Sequence, residues 1–182
     1  MKRVFFVPAA LAILFAVTYP PVFKVADACA QTPQIESIEV VDYGLYTAEV
    51  MSAQRDAQGL LQNTSTNVRH SQTTRDVPAQ IGVRFGFRFR VTGVPSGTEV
   101  RLKKIITFPP GGLRNPASPQ VISRSETTLA MTVGHEAMYT AYKFDDPWEL
   151  ATGTWTIELW QGDRKLLSQS FRCSNRDDAH QG

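Results

Sequence analysis

From residue 37 onward, apolar and polar side chains alternate in short blocks, the period of two that marks half-buried β-strands. The clearest block is 81–91, where Phe85, Phe87, Phe89 and Val91 share one face and Arg84, Arg88 and Arg90 the other. In 98–108, Val100 and Leu102 oppose Arg101 and Lys103. In 154–161, Trp155, Ile157 and Leu159 alternate with Thr154, Thr156 and Glu158; Gly162-Asp163 supplies turn chemistry, and 165–173 runs back as a hairpin partner. All three tryptophans fall between 148 and 160, so the largest buried side-chain area is expected around this hairpin.

Further strands are predicted over 37–48, 66–77, 127–133 and 137–144. Gly44 marks a bulge or a close backbone approach in the first, and the second is weak, polar and ends at Pro78. Residues 49–61 have no period and read as a loop with at most a helical turn; 109–119, rich in Pro and Gly, is a long turn-bearing loop. The pattern gives about seven or eight strands and no helix long enough for a βαβ unit, which specifies an all-β, immunoglobulin-like antiparallel β-sandwich.

The first thirty residues break this pattern. Met1-Lys2-Arg3 precedes an apolar run from Val4 to Val17, then Pro20-Pro21, and both Ala26-Asp27-Ala28 and Ala28-Cys29-Ala30 fit a small-x-small cleavage site. The expected organisation is a signal peptide over 1–30, a short linker over 31–35, the sandwich over 36–173 and a polar tail over 174–182, with export to the periplasm or outside the cell. Cleavage after Ala28 and after Ala30 both remain open, and a lipid anchor on Cys29 is the lesser alternative. Pro8, Pro20 and Pro21 argue against an uncleaved spanning helix.

Charge changes the picture little. Removal of 1–30 takes away Lys2, Arg3, Lys24 and Asp27 and leaves acids and bases balanced, so net charge offers no support for global polyanion binding. With two cysteines, Cys29 and Cys173, the chain carries no disulfide framework, and Cys173 at the end of the last strand reads as a small packed side chain.

Candidate chemistry is sparse. His70, His135 and His180 form no metal-ligand spacing, and no cofactor or metal is expected. Asp145, Asp146 and Glu149 beside Trp148 superficially suit glycoside hydrolysis or calcium, yet Asp-Asp-Pro is ordinary turn chemistry. Arg84, Arg88 and Arg90, continued by Arg101 and Lys103, could form a basic stripe for an anionic polymer; cross-strand pairing with acids such as Asp42 or Glu158 is the plainer reading. Trp160 beside Arg164 is a candidate contact point if exposed. Nucleic acid is not expected, because Val-Arg-Phe-Gly-Phe-Arg-Phe lacks the glycine straight after the basic residue and the helices of an RNA-recognition module.

Three segments together resemble a bacterial domain of unknown function, the family numbered 3859: Val40-Val-Asp-Tyr-Gly-Leu-Tyr46; Pro78-Ala-Gln-Ile-Gly-Val-Arg-Phe-Gly-Phe-Arg-Phe89; and Phe144-Asp-Asp-Pro-Trp-Glu-Leu150 with Gly153-Thr-Trp-Thr-Ile-Glu-Leu-Trp160. The resemblance covers about residues 36–173, implies an exported β-rich domain, and brings no catalytic or binding residues with it. The expected role is non-enzymatic: an envelope protein-interaction module using the 108–120 and 45–63 segments. The alternative is anionic glycan or lipid-phosphate binding through the arginine face, and a hydrolase built on the acidic cluster comes last.

Overall fold

The computed structural model describes residues 34–134 and 136–175; the expected signal peptide, most of the linker, His135 and most of the tail, with His180, lie outside the described residues. Among the described residues there are eleven strands, nine of them in two main sheets. The first contains β1 (Ser37–Arg55), β2 (Leu61–Gln72), β4 (Arg84–Thr92) and β9 (Met138–Lys143), in the order β2-β1-β4-β9. The second contains β3 (Asp76–Pro78), β5 (Glu99–Thr107), β8 (Arg124–Thr132), β10 (Gly153–Gln161) and β11 (Arg164–Ser174), in the order β3-β11-β10-β5-β8. Neighbours are antiparallel except β3, which lies parallel to β11. A small ribbon pairs β6 (Leu113–Arg114), inside the expected 109–119 loop, with β7 (Val121–Ile122), just beyond it.

Alternation decides the core. Phe85, Phe87 and Phe89 of β4 are fully buried and face Val100, Leu102, Trp155, Ile157 and Leu159 of the other sheet, all equally buried. Trp155 is the centre of an aromatic cluster, with Phe85, Phe108, Tyr142 and Phe144 at 4.9–5.8 Å between ring centroids. Its indole N–H donates to the Ala151 carbonyl at 2.9 Å, so the one polar atom of the ring is satisfied inside the core.

Residues 49–61 are where the fold departs from the expected loop. β1 continues to Arg55 and turns through Asp56–Leu60 into β2. Asp56 Oδ1 accepts from the amides of Gln58 and Leu60 at 2.9 and 3.0 Å, and Gly59 takes φ +87°, a conformation that suits glycine. Register shifts at Leu45/Tyr46, Thr47/Glu49 and Val50/Ser52 bend the pair into a two-stranded arm. Gly44, at φ +130°, has the Gln72 carbonyl oxygen 2.0 Å from where a Cβ would lie, the close approach its sequence position suggested.

The arm folds across the outer face of β4 and β9. Tyr46 stacks edge-on to Tyr139 at 5.0 Å, Asn63 Nδ2 donates to Asp145 at 2.9 Å, and Arg55 pairs with Asp146 at 2.7 Å. Leu60, 1% exposed, anchors its tip in the core. Among the described residues, no helix is long and apolar enough to cross a membrane.

Cys173 is buried in this core, and burial pushes its thiol up to about 12. A thiol reagent such as 5,5′-dithiobis(2-nitrobenzoate) is therefore expected to leave Cys173 unmodified in the native protein and to titrate it fully in denaturant. Rapid native labelling at Cys173 would contradict its packing.

Candidate functional site

The proposed basic stripe divides between the two sheets, because Arg84, Arg88 and Arg90 lie on β4 whereas Arg101 and Lys103 lie on β5. Most of these charges have acids beside them. Arg88 forms an ion pair with Asp42, whose other bond comes from the Tyr46 hydroxyl; the Arg88 hydrogen bond holds the Asp42 carboxyl below its usual range. Arg90 lies opposite Glu39, Arg101 is 3.8 Å from Glu99, and Lys103 is 3.9 Å from Glu126. Trp160 lies on the outer face, half-buried between the ammonium groups of Lys103 and Lys165, and donates its indole N–H to Glu158 at 3.0 Å. Arg164 bonds the backbone carbonyl of Ile35, a structural tie across the chain.

The acidic cluster is likewise distributed. Asp145 pairs with Lys143, Asp146 with Arg55, and Glu149 is buried within the 3-10 turn Pro147–Glu149, its Oε2 accepting from the Asp145 amide at 3.0 Å. These carboxylates turn to different partners, which is not the facing pair that glycoside hydrolysis needs. Among the described residues, no group of three potential ligands could hold a metal ion. His70 packs against the Tyr46 ring and contacts the Tyr43 carbonyl at 3.0 Å.

One of the seven candidates has a different setting. Arg84 is 7% exposed, because the arm covers it, and its Nη1 donates to Ser65 Oγ at 2.9 Å. It lines a cavity of about 270 Å³ between the arm and the open side of the sandwich. Leu61, Asn63 and Val68 come from β2; Lys104 and Ile106 from β5; Ser125 and Leu129 from β8. From β9 come residues of both faces: outward Tyr139 and Lys143, inward Thr140 and Tyr142. The cavity therefore wraps around β9, the edge strand of its sheet. The volume falls just below the usual range of about 300–1,000 Å³ for ligand pockets, which leaves room for a very small molecule only.

Its charge is one-sided. Lys143 is matched by Asp145, but Arg84 and Lys104 have no carboxylate partner among the described residues. Lys104 occupies an inward position of β5, between Leu102 and Ile106, so its accessible part faces the cavity rather than open water. Burial lowers its pKa to about 8. The Tyr139 hydroxyl is buried without a well-formed hydrogen bond; burial pushes it up to about 12, against the charge and a loose hydrogen bond of the adjacent Arg84. The Tyr142 hydroxyl and Glu149 Oε1 are likewise buried without a well-formed bond. Burial raises both groups, and their proximity raises Tyr142 further. A buried hydroxyl, that of Tyr139, beside two cations without carboxylate partners is the feature of a site that accepts an anion.

Lys104 is absent from the residues that sequence reasoning selected, although a signal was present. Val100, Leu102, Lys104 and Ile106 alternate, which places a lysine on an otherwise apolar face. Arg84 was assigned its correct face but not its burial, which depends on the arm.

The family model described as a domain of unknown function (DUF3859) matches residues 34–173. A solved immunoglobulin-like protein from Pseudomonas aeruginosa aligns with 76% of this chain and 97% of its own at a TM-score of 0.55 and 24% identity, a likeness that concerns the fold. No curated protein matches the chain.

Proposed function

The chain belongs to the DUF3859 family, and from that premise we propose that it is a non-catalytic binding domain that holds a small anionic ligand in the cavity beneath the β1–β2 arm. The observation that carries this reading is the pair of cations without carboxylate partners, Arg84 and Lys104, lining one cavity with the buried Tyr139 hydroxyl. A guanidinium in a partly dry site binds carboxylate or phosphate oxygens through two parallel N–H donors, and low dielectric strengthens that contact. The dispersed carboxylates support a binding role over hydrolysis. The basic-then-apolar leader over 1–30 supports export, so the ligand would be met in the periplasm or outside the cell.

Calorimetric titration of the purified protein with acetate and with inorganic phosphate tests the reading. At least one is expected to bind saturably, and Arg84→Gln is expected to weaken it about tenfold or more, the usual effect of removing a charge-assisted contact. Affinity is also expected to fall above pH 8, as Lys104 loses its proton. Saturable binding unchanged by Arg84→Gln would locate the anion elsewhere and overturn the assignment; so would an absence of binding to both anions.

A protein contact is the second reading, favoured by Val50 and Met51, which stand 44% and 69% exposed on the arm. The 108–120 segment is the weaker surface for this role, since Leu113 is buried and Asn115 Nδ2 donates to the Gln58 carbonyl at 3.0 Å, bracing the arm.

A further inference from the structure

The described residues hold four lysines, and three have their ammonium groups against acids. Lys103 lies 3.9 Å from Glu126, Lys165 lies 3.0 Å from Glu158, and Lys143 is paired with Asp145. The Lys104 ammonium alone has no carboxylate partner and no side-chain hydrogen bond among the described residues. Its strand neighbours on the inward face are Leu102 and Ile106, and the residue paired with it on β10 is Leu159. Such surroundings favour the neutral amine, which is the nucleophilic form; an amine held near 8 is partly neutral at physiological pH. Arg84, contributed by the opposite sheet, lines the same cavity.

We propose that Lys104 is a reversible covalent capture point for a small oxo acid, whose anionic end lies against Arg84 while its aldehyde or ketone carbon condenses with Lys104 Nζ. This rests on the anion-binding reading of the same cavity. The amine lone pair attacks the carbonyl carbon, a C–N bond forms, and the oxygen takes up a proton to give a carbinolamine. Its hydroxyl departs as water, the C–O bond breaks, and the C=N bond of the imine forms. Both amine hydrogens leave in the water, so no oxidant or reductant takes part. Addition of water returns the ligand unchanged, which makes the step a mode of retention rather than turnover.

Glyoxylate is a probe of suitable charge and size, and propanal is its neutral counterpart. The native protein is treated with a limiting amount of either in the presence of sodium cyanoborohydride, which reduces an imine to a stable secondary amine, and the modified lysines are mapped by peptide mass spectrometry. Glyoxylate is expected to label Lys104 about tenfold faster than Lys103, Lys143 or Lys165, and faster than propanal labels it, because a bound anchor raises the local carbonyl concentration. Arg84→Gln should remove the advantage of glyoxylate over propanal, and Lys104→Met should abolish the adduct and weaken acetate or phosphate binding below pH 8 to the level the parent shows once Lys104 is deprotonated, leaving the part that depends on Arg84. Labelling dominated by Lys103 and Lys165, with Lys104 slowest, overturns the proposal. Anion binding that depends on Arg84 without an adduct at Lys104 removes the covalent step and leaves the binding reading intact. Failure of both removes the two together.

Discussion

Replacing Trp155 by Ala is expected to destabilise the protein by about 4 kcal/mol, the range found for truncating a fully buried large aromatic. A single domain has roughly 5–15 kcal/mol to lose, so the variant should be close to unfolding at 37 °C. The ring is fully buried and sits edge-on to Phe85, Phe108 and Phe144 and tilted against Tyr142. No neighbour is free to collapse into the space, because these aromatics are themselves held by both sheets. Trp155→Phe should cost less than half as much, since it retains ring contacts and loses the bond to the Ala151 carbonyl. Urea unfolding of both variants, followed by circular dichroism, reads the effect; an alanine variant within 1 kcal/mol of the parent would refute the central position given to this ring.

Lys104→Met is expected to act in the opposite direction, stabilising the protein by about 2 kcal/mol at pH 7. The sign follows from linkage. The Lys104 pKa is lowered on folding from 10.5 to about 8, so between these values the unfolded chain binds the proton and the native one does not. Stability then rises with pH across that window, and the penalty of a desolvated ammonium is fully present below pH 8. Titrating neighbours limit the gain: Tyr139 and Tyr142 line the same cavity, Glu149 lies behind Tyr142, and the raised tyrosines lower stability again above about pH 10 as the unfolded phenols ionise. Denaturation at pH 7 and pH 9.5 should show the difference between parent and Lys104→Met shrinking at the higher pH. An equal difference at both would show that Lys104 carries its charge in the fold at no cost.

The opposing effects separate what maintains the sandwich from what the cavity is for. A residue that lowers stability at neutral pH, yet sits with Arg84 and a buried tyrosine, fits the common trade in which a binding site retains polar groups that a pure core would exclude. Arg88 illustrates the contrary case. It too is an arginine on β4, but Asp42 completes it, so it stabilises β1 against β4 and leaves no charge for a ligand.

The residue pattern by itself determined the two-sheet class, the buried faces of β4, β5 and β10, the hairpin at Gly162-Asp163 and the close approach at Gly44. Each of these follows from local alternation or from a single turn residue, so each is written into neighbouring positions. The arm was not legible, because Glu49–Arg55 is exposed and interrupted by register shifts; without a buried face there is no period to read. The tertiary structure alone decided the cavity. Its walls come from four strands of two sheets and from an arm that folds over them, and it was this crossing that converted Arg84 from a surface charge into a buried one. Sequence alternation assigns a side chain to a face, whereas the solvent or protein that meets that face is set by contacts between residues far apart in the chain.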